Sequence, residues 1–240
     1  MITEILARLI QFYEVDVRKN MGKRYFKSRS EAGQYGITAF THLKGYPVTV
    51  IALSTDALTI GAHLSQYLQC PLQLYLSDDV VVPGSRKIGG VNSSGGFSYD
   101  SSLSQSETDY LYQEFHSYIE ESKRTAFTNI NRELGSKTII RKDLIRNRNV
   151  VFVADALQDT IALDGALDFV KSLATPSVSL YSPIVTGNIV SPLNQRCDYV
   201  YFSSTVDFFY GKDHYFEDNK VYERGEGVDL VSSYLKLWPA

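Results

Sequence analysis

Two stretches of the sequence place acidic and hydroxyl side chains directly after runs of apolar residues. The first is Ser54-Thr55-Asp56-Ala57-Leu58-Thr59, which follows the apolar run Val48 to Leu53. The second is Ala154-Asp155-Ala156-Leu157-Gln158-Asp159-Thr160, which follows Val150 to Val153. In open α/β sheets, ligands bind at the carboxyl ends of the strands, and the N-terminus of a following helix can hold a phosphate. The second stretch therefore has the layout of a phosphate-binding loop.

The elements that would position these loops alternate between strands and helices along the chain. Apolar runs predict buried strands at 48–53 and 150–153, and shorter apolar segments predict strands at 72–76, 178–181 and 198–202. Helical spacing and capping patterns predict helices at 3–17, 28–43, 57–68, 105–134, 159–173, 188–195 and 228–237. Paired glycines predict a hairpin or two short strands within residues 83–100. This alternation indicates an α/β fold with a doubly wound, mostly parallel sheet.

Composition and charge exclude several classes of protein. The chain has 240 residues and a formal net charge of −3, so no general attraction to nucleic acid is expected. The basic stretch 141–148 is interpreted as a solvated loop. Cys70 and Cys197 have no partner at metal-binding spacing and are predicted to be buried free thiols. Because no signal peptide or long apolar run is visible, we predict a cytoplasmic protein without a membrane partner.

Several short phrases occur in an order that is informative as a set. They are Phe26-Lys27-Ser28-Arg29-Ser30-Glu31-Ala32-Gly33, Ile88-Gly89-Gly90-Val91 with Gly95-Gly96, Val150-Val151-Phe152-Val153, Phe209-Tyr210 and Tyr215-Phe216-Glu217-Asp218. Across residues 24–219 their order resembles the type I phosphoribosyltransferases, and more narrowly a bacterial branch of phosphoribosyltransferase-domain proteins. The resemblance implies a phosphoribosyltransferase-like domain at 23–219, with an N-terminal helix in 1–22 and a C-terminal tail with a short helix in 220–240.

The resemblance also implies which residues would meet a phosphoribosyl diphosphate donor. In the family, an acidic pair receives the ribose hydroxyls, a small turn and helix N-terminus hold the 5′-phosphate, and Mg²⁺ bridges the diphosphate. The matching positions here are Asp155, Ala156, Gln158, Asp159 and Thr160 in the donor loop, Thr55, Asp56 and Ala57 in the second loop, and Asp78 and Asp79 near a strand end.

The donor loop departs from the family pattern at most of its functional positions. Ala154 replaces the first acidic residue, so that only Asp155 remains of the pair, and Ala156 replaces a glycine. Asp159-Thr160 stands where the family has a threonine and a glycine. A carboxylate at about 4–6 Å from a phosphate costs roughly 3–4 kcal/mol at an effective dielectric near 20, so Asp159 would weaken phosphate binding.

The other two loops change in the same direction. Thr55-Asp56-Ala57 replaces an Arg-Gly-Gly phrase, and Asp78-Asp79 replaces an Arg-Lys pair. Two interpretations of these carboxylates stay open, a new cation site or, as we favour, a solvated surface. Asp155 is either a ribose-hydroxyl acceptor or the cap of a turn, and Asp159 is predicted to cap the following helix.

Two functional hypotheses follow, and no catalytic residue is assigned in either. The first is a non-catalytic relative that needs no cofactor or metal and binds a protein partner, a second copy of itself or an altered small ligand. The tyrosine-rich helix 105–134 is a candidate contact surface for such a partner. The alternative is an active phosphoribosyltransferase that uses phosphoribosyl diphosphate and Mg²⁺. Losses in three loops favour the first hypothesis.

Overall fold

The computed structural model describes residues 25–84 and 86–239, so the helix predicted at 3–17 lies outside the described residues. The strands in chain order are β1 (Phe26–Ser28), β2 (Val48–Ala52), β3 (Leu72–Leu74), β4 (Ser77–Val82), β5 (Arg86–Asn92), β6 (Phe97–Tyr99), β7 (Asn149–Val153), β8 (Ala156–Leu157), β9 (Val178–Thr186), β10 (Tyr199–Val206) and β11 (Phe216–Asp218). The α-helices are α1 (Arg29–Gly36), α2 (Leu58–Leu68), α3 (Gln105–Leu134), α4 (Ile161–Val170), α5 (Val190–Arg196) and α6 (Arg224–Leu235). Short 3₁₀ helices lie at Ile37–Leu43, Lys142–Leu144, Lys171–Leu173, Gly187–Ile189 and Lys212–Tyr215.

Parallel pairing orders the central sheet β3-β2-β7-β9-β10, and the short β8 pairs with β9 beyond the end of β7. From β2 the chain moves outward to β3 and then crosses back to β7 on the other side of β2. A reversal of this kind leaves a crevice at the carboxyl ends of the two strands, where α/β proteins bind ligands. The predicted fold class, α/β with a mostly parallel doubly wound sheet, is confirmed. The loops 54–59 and 154–160 begin at this crevice, because they follow β2 and β7.

Helices cover both faces of the sheet, which explains why its central strands are continuous apolar runs. Every residue of β2 is buried. One face packs against α1, α2 and α6, and the other packs against α4 and α5. The buried Gln73 amide of β3 donates to Thr49 Oγ1 (3.0 Å) and accepts from the backbone N–H of Arg141 (2.5 Å), so these buried polar groups are satisfied.

The hairpin predicted within residues 83–100 forms as β5 and β6, and it is part of a larger antiparallel sheet. β4, β5 and β6 pair in that order, so residues 77–82 also belong to it. Gly89 lies inside β5 and not in a turn. The position requires glycine because a Cβ there would lie 2.2 Å from the Ser98 carbonyl oxygen of β6. The α3 helix packs over this sheet and bends at Phe115, whose φ and ψ are −118° and 21°.

Predicted element ends differ from the observed ones at both ends of the domain. The second predicted helix begins close to its predicted start, where the Ser28 side chain caps it by accepting from the Glu31 backbone N–H at 3.2 Å. However, α1 ends at Gly36 and a 3₁₀ helix continues to Leu43, where one long helix was predicted. The last helix begins at Arg224, before its predicted start near Val228, and its apolar residues enter the same core as α2.

Two further expectations can be compared with the described residues. No helix among them is long and apolar enough to cross a membrane. Cys70 and Cys197 are buried free thiols, as predicted, and burial raises the pKa of each to about 12. Both thiols are therefore protonated at neutral pH.

Candidate functional site

The crevice between β2 and β7 is filled by charged side chains of the chain itself. Asp155, which follows β7, is 1% exposed and lies against the equally buried Arg29 at the start of α1. Arg29 donates from Nε and Nη2 to Asp155 Oδ2, at 3.3 and 3.1 Å. The retained carboxylate of the donor loop is thus one half of a buried ion pair and is directed into the protein.

Lys212 crosses the mouth of the same crevice. Its Nζ lies 3.0 Å from Asp56 Oδ2, after β2, and 3.2 Å from Asp155 Oδ1, after β7. Burial lowers the pKa of the Lys212 ammonium, but the carboxylates of Asp155 and Asp56 outweigh this effect and hold the pKa above its ordinary value. Lys212 is therefore charged at neutral pH and joins the two loops that a donor would have to enter.

Pairing between the ends of the domain brings Arg29 and Lys212 to the crevice. β1 and β11 pair in parallel, with Phe26 opposite Phe216, and the 3₁₀ helix that carries Lys212 leads directly into β11. The Arg29 guanidinium lies 4.5 Å from the centre of the Phe216 ring. Its Nη2 also donates to Asp213 Oδ1 at 3.2 Å. Aromatic packing and two carboxylates hold this arginine in place.

The backbone of the donor loop is also engaged within the protein. Ala156 and Leu157 form β8, which pairs with β9, and both residues are buried. Asp159 Oδ1 accepts from the Ile161 backbone N–H at 3.2 Å, at the N-terminus of α4. The N-cap position is Thr160 and not Asp159 as predicted, and the Thr160 hydroxyl donates to Asp164 Oδ2 at 2.7 Å. The Ile161 backbone N–H therefore already donates to Asp159 and is not available to a phosphate at this helix N-terminus.

The second loop lies beneath the C-terminal helix. The Ala57 backbone N–H donates to the Ser54 carbonyl oxygen (3.2 Å), and the Leu58 N–H donates to the Thr55 carbonyl oxygen (3.1 Å). A Cβ added at Gly227 of α6 would lie 2.7 Å from Thr55 Cγ2, so the helix rests directly on the loop. The backbone amides of Ala57 and Leu58 are thus used within a local turn, and α6 covers Thr55.

Replacing Gly227 with alanine is expected to lower the free energy of unfolding by about 1–3 kcal/mol, because the added methyl group must displace Thr55 and Leu58. Gly225 provides a matched control in the same helix, since a Cβ there meets nothing within 4 Å. Gly225→Ala should raise stability by up to about 1 kcal/mol through helix propensity. Urea denaturation of both variants measures the difference, and equal effects would contradict the close contact of α6 with the loop.

Asp78 and Asp79 lie within β4, and each has a basic partner. Asp78 Oδ1 lies 2.6 Å from Arg224 Nη1, and Arg224 Nε lies 2.7 Å from Glu133 Oε2. Lys87 Nζ lies 2.6 Å from Asp79 and 3.4 Å from Asp159. Burial lowers the pKa of Lys87, but these two carboxylates outweigh it and raise the pKa. Asp79 is exposed, Asp56 and Asp78 are partly buried, and each of the three carboxylates has a basic partner within the protein.

The charged side chains at these loops and strand ends form three ion clusters. They are Arg29 and Lys212 with Asp56, Asp155 and Asp213, Lys87 with Asp79 and Asp159, and Arg224 with Asp78 and Glu133. Counted over the described side chains, each cluster holds one more carboxylate than cation. An anion that approached any of them would meet a net negative charge.

The same residues determine whether the crevice could hold Mg²⁺. A Mg²⁺ ion that bridged a donor diphosphate would need free carboxylate oxygens near the crevice. The nearest carboxylates, Asp56 and Asp155, are engaged by Lys212 and Arg29. Within residues 25–84 and 86–239, no group of three or more His, Cys, Asp or Glu side chains could hold a metal ion. The observed arrangement does not fit a Mg²⁺ site.

A small cavity lies beside the crevice, under the aromatic segment that precedes β11. Its volume is about 50 Å³, enough for a few water molecules. It is lined by Tyr25, Ile184, Ser204, Val206, Asp207, Phe208, Tyr210, His214 and Tyr215. The residues predicted for the donor site do not line this cavity, so the structure separates it from the ion clusters.

Sequence analysis identified the carboxylates of the site but not their partners. Lys87, Lys212 and Arg224 carry no local pattern that would connect them with distant strand ends. Arg29 is different, because it belongs to the Phe-Lys-Ser-Arg phrase on which the resemblance rests. This phrase could therefore have suggested that Arg29 has a role beside Asp155.

Comparison with known proteins locates the fold. No family model and no curated protein matches this chain. The crystal structure of TT1426 from Thermus thermophilus matches with a TM-score of 0.68 and 19% identity, covering 88% of this chain and 99% of that protein. The two chains therefore share a fold over most of this chain and almost all of TT1426.

Crystal structures of phosphoribosyltransferases also match, with lower TM-scores. A hypoxanthine phosphoribosyltransferase from Staphylococcus aureus aligns with a TM-score of 0.39 and 12% identity, covering 79% of each chain. A purine phosphoribosyltransferase from Pyrococcus horikoshii Ot3 aligns with a TM-score of 0.42 and 12% identity, covering 75% of this chain and 84% of the enzyme.

Proposed function

We propose that this chain is a phosphoribosyltransferase-like protein that has lost donor binding and acts through contacts of its surface with a protein partner. The support for the first part is the ordered set of family phrases, together with a chain reversal at the crevice where such a family would bind its donor. The support for the loss of donor binding is the set of ion pairs that closes that crevice.

One observation carries the proposal. Lys212 bridges Asp56 and Asp155 at 3.0 and 3.2 Å, and thereby ties together the ends of β2 and β7. A donor that entered between these strands would have to break both ion pairs and expose the buried Arg29–Asp155 pair. The lost ion pairs cost free energy, and the negative clusters around the crevice offer a diphosphate little in return.

Calorimetric titration of the protein with phosphoribosyl diphosphate and Mg²⁺ tests the proposal. We expect no saturable heat, which corresponds to a Kd weaker than about 1 mM. The same titration with Asp213→Asn should also give no binding, because that variant removes only an exposed member of the main cluster.

The retained Asp155 at the end of β7 is the observation that favours the alternative, an active phosphoribosyltransferase. That function requires Lys212 to leave the crevice when the donor arrives. Micromolar binding that is lost in Asp155→Asn and kept in Asp213→Asn would establish the alternative and overturn the proposal.

A further inference from the structure

The long helix α3 presents most of its surface to solvent. It has 30 residues and is about 45 Å long at 1.5 Å per residue. Its buried side chains lie along a single stripe, which consists of Leu111, Ile119, Ala126, Ile130 and Leu134. On the outward side, Tyr110 and Tyr118 are 63% and 52% exposed. Tyrosine contributes strongly to protein interfaces because it buries a large rigid ring at low entropic cost.

Exposed charges are segregated along this helix. The N-terminal half carries exposed carboxylates at Asp109 and Glu114, and the exposed Glu121 follows just past the middle of the helix. The C-terminal half carries exposed guanidinium groups at Arg124 and Arg132. By contrast, Lys123 and Glu120 are partly buried and pair with each other at 2.8 Å within the helix. The outward surface is therefore acidic toward one end and basic toward the other.

We propose that α3 pairs with the α3 helix of a second copy of this chain, in antiparallel orientation about a twofold axis. This inference rests on the proposed function, which assigns the protein's role to its surface, and it names the partner. In an antiparallel pair the acidic half of each helix faces the basic half of the other, whereas a parallel pair would place like charges together. A twofold interface of this kind needs only one surface that complements itself, and α3 provides one.

The tyrosines contribute to the same contact. Tyr110 precedes Glu114 by one helical turn, and Tyr118 lies one turn beyond Glu114, so the exposed rings flank the acidic patch. When the patch meets Arg124 and Arg132 of the partner, the guanidinium groups also approach the tyrosine rings. Arginine stacks on aromatic rings as well as pairing with carboxylates.

Sedimentation equilibrium of the full chain, with two charge-reversal variants, tests the pairing. Glu114→Lys with Glu121→Lys replaces two outward carboxylates with ammonium groups, and Arg124→Glu with Arg132→Glu replaces the two outward guanidinium groups with carboxylates. Each variant alone should dimerise about tenfold or more weakly than the wild type, because like charges then face each other. An equimolar mixture of the two should restore the dimer. Added NaCl should weaken the wild-type dimer, since its charges are exposed.

Lys171→Glu with Lys236→Glu is the matched control, because it changes the net charge as much as the acidic variant but lies outside α3. It should dimerise like the wild type, and circular dichroism of every variant checks that the fold is kept. A wild-type chain that stays monomeric at about 100 µM would overturn the pairing. So would a dimer that ignores all the α3 substitutions, since another surface must then form it. Neither result affects donor binding, which the calorimetric titration decides separately.

Discussion

Replacing Asp155 with alanine is expected to lower the free energy of unfolding by about 3–5 kcal/mol, one of the largest single-residue effects in this protein. The substitution leaves the Arg29 guanidinium, which is as buried as Asp155 itself, without its main carboxylate partner. It also removes one of the two carboxylates that hold Lys212. Urea denaturation followed by circular dichroism measures the loss.

The control for this prediction is Asp159→Ala in the same loop. Asp159 is partly exposed and makes a longer ion pair, at 3.4 Å, with Lys87. Its removal should cost about 0.5–2 kcal/mol, because Asp159 also accepts from the Ile161 backbone N–H. A ligand-binding carboxylate held ready in an active site often reduces stability, so its removal would be neutral or stabilising. An unchanged or increased stability of Asp155→Ala would therefore contradict a structural role for this residue.

The second large effect is expected at Arg29. Arg29→Met alone should lower the free energy of unfolding by about 3–5 kcal/mol, because the buried Asp155 then lacks its closest cation. Arg29→Met combined with Asp155→Leu should cost clearly less than the sum of the single changes, since no charge is left buried alone between them. Arg29 Nη1 is buried without a hydrogen-bond partner among the described residues, which is a further reason why an apolar replacement can be tolerated.

A double-mutant cycle built from these variants measures the interaction directly. We expect a coupling free energy of about 1–3 kcal/mol between positions 29 and 155. Arg29→Met with Asp159→Ala is the matched pair, and it should be additive because those two side chains share no contact. Additive effects at positions 29 and 155 would show that the ion pair does not form in solution.

Strand positions were accessible from the sequence wherever burial on both faces leaves a continuous apolar run. Val150 to Val153 is such a run, and it forms the core of β7 with every one of its residues buried. The antiparallel sheet was harder to predict for a physical reason. Paired glycines usually mark turns, but Gly89 is required inside β5 by the close approach of the Ser98 carbonyl oxygen. That approach depends on a neighbouring strand and leaves no local signal.

The site shows the same division between local and distant information. Loops that follow buried strands could be predicted to meet at one edge of the sheet, and Asp56 and Asp155 do lie on either side of Lys212. The pairing of Arg29 with Asp155 spans 126 positions, and that of Arg224 with Asp78 spans 146. Contacts of this range follow from the way the two ends of the domain pack. Acidic substitutions in the loops could be seen in the sequence, but the cations that neutralise them could not.

A crystal structure grown in the presence of phosphoribosyl diphosphate and Mg²⁺ tests the closed crevice most directly. The account predicts that the Lys212 ammonium remains within ion-pair distance of both Asp56 and Asp155, with no diphosphate between the ends of β2 and β7. Density for a diphosphate at that place, with Lys212 displaced and Asp155 turned toward a ribose, would contradict it.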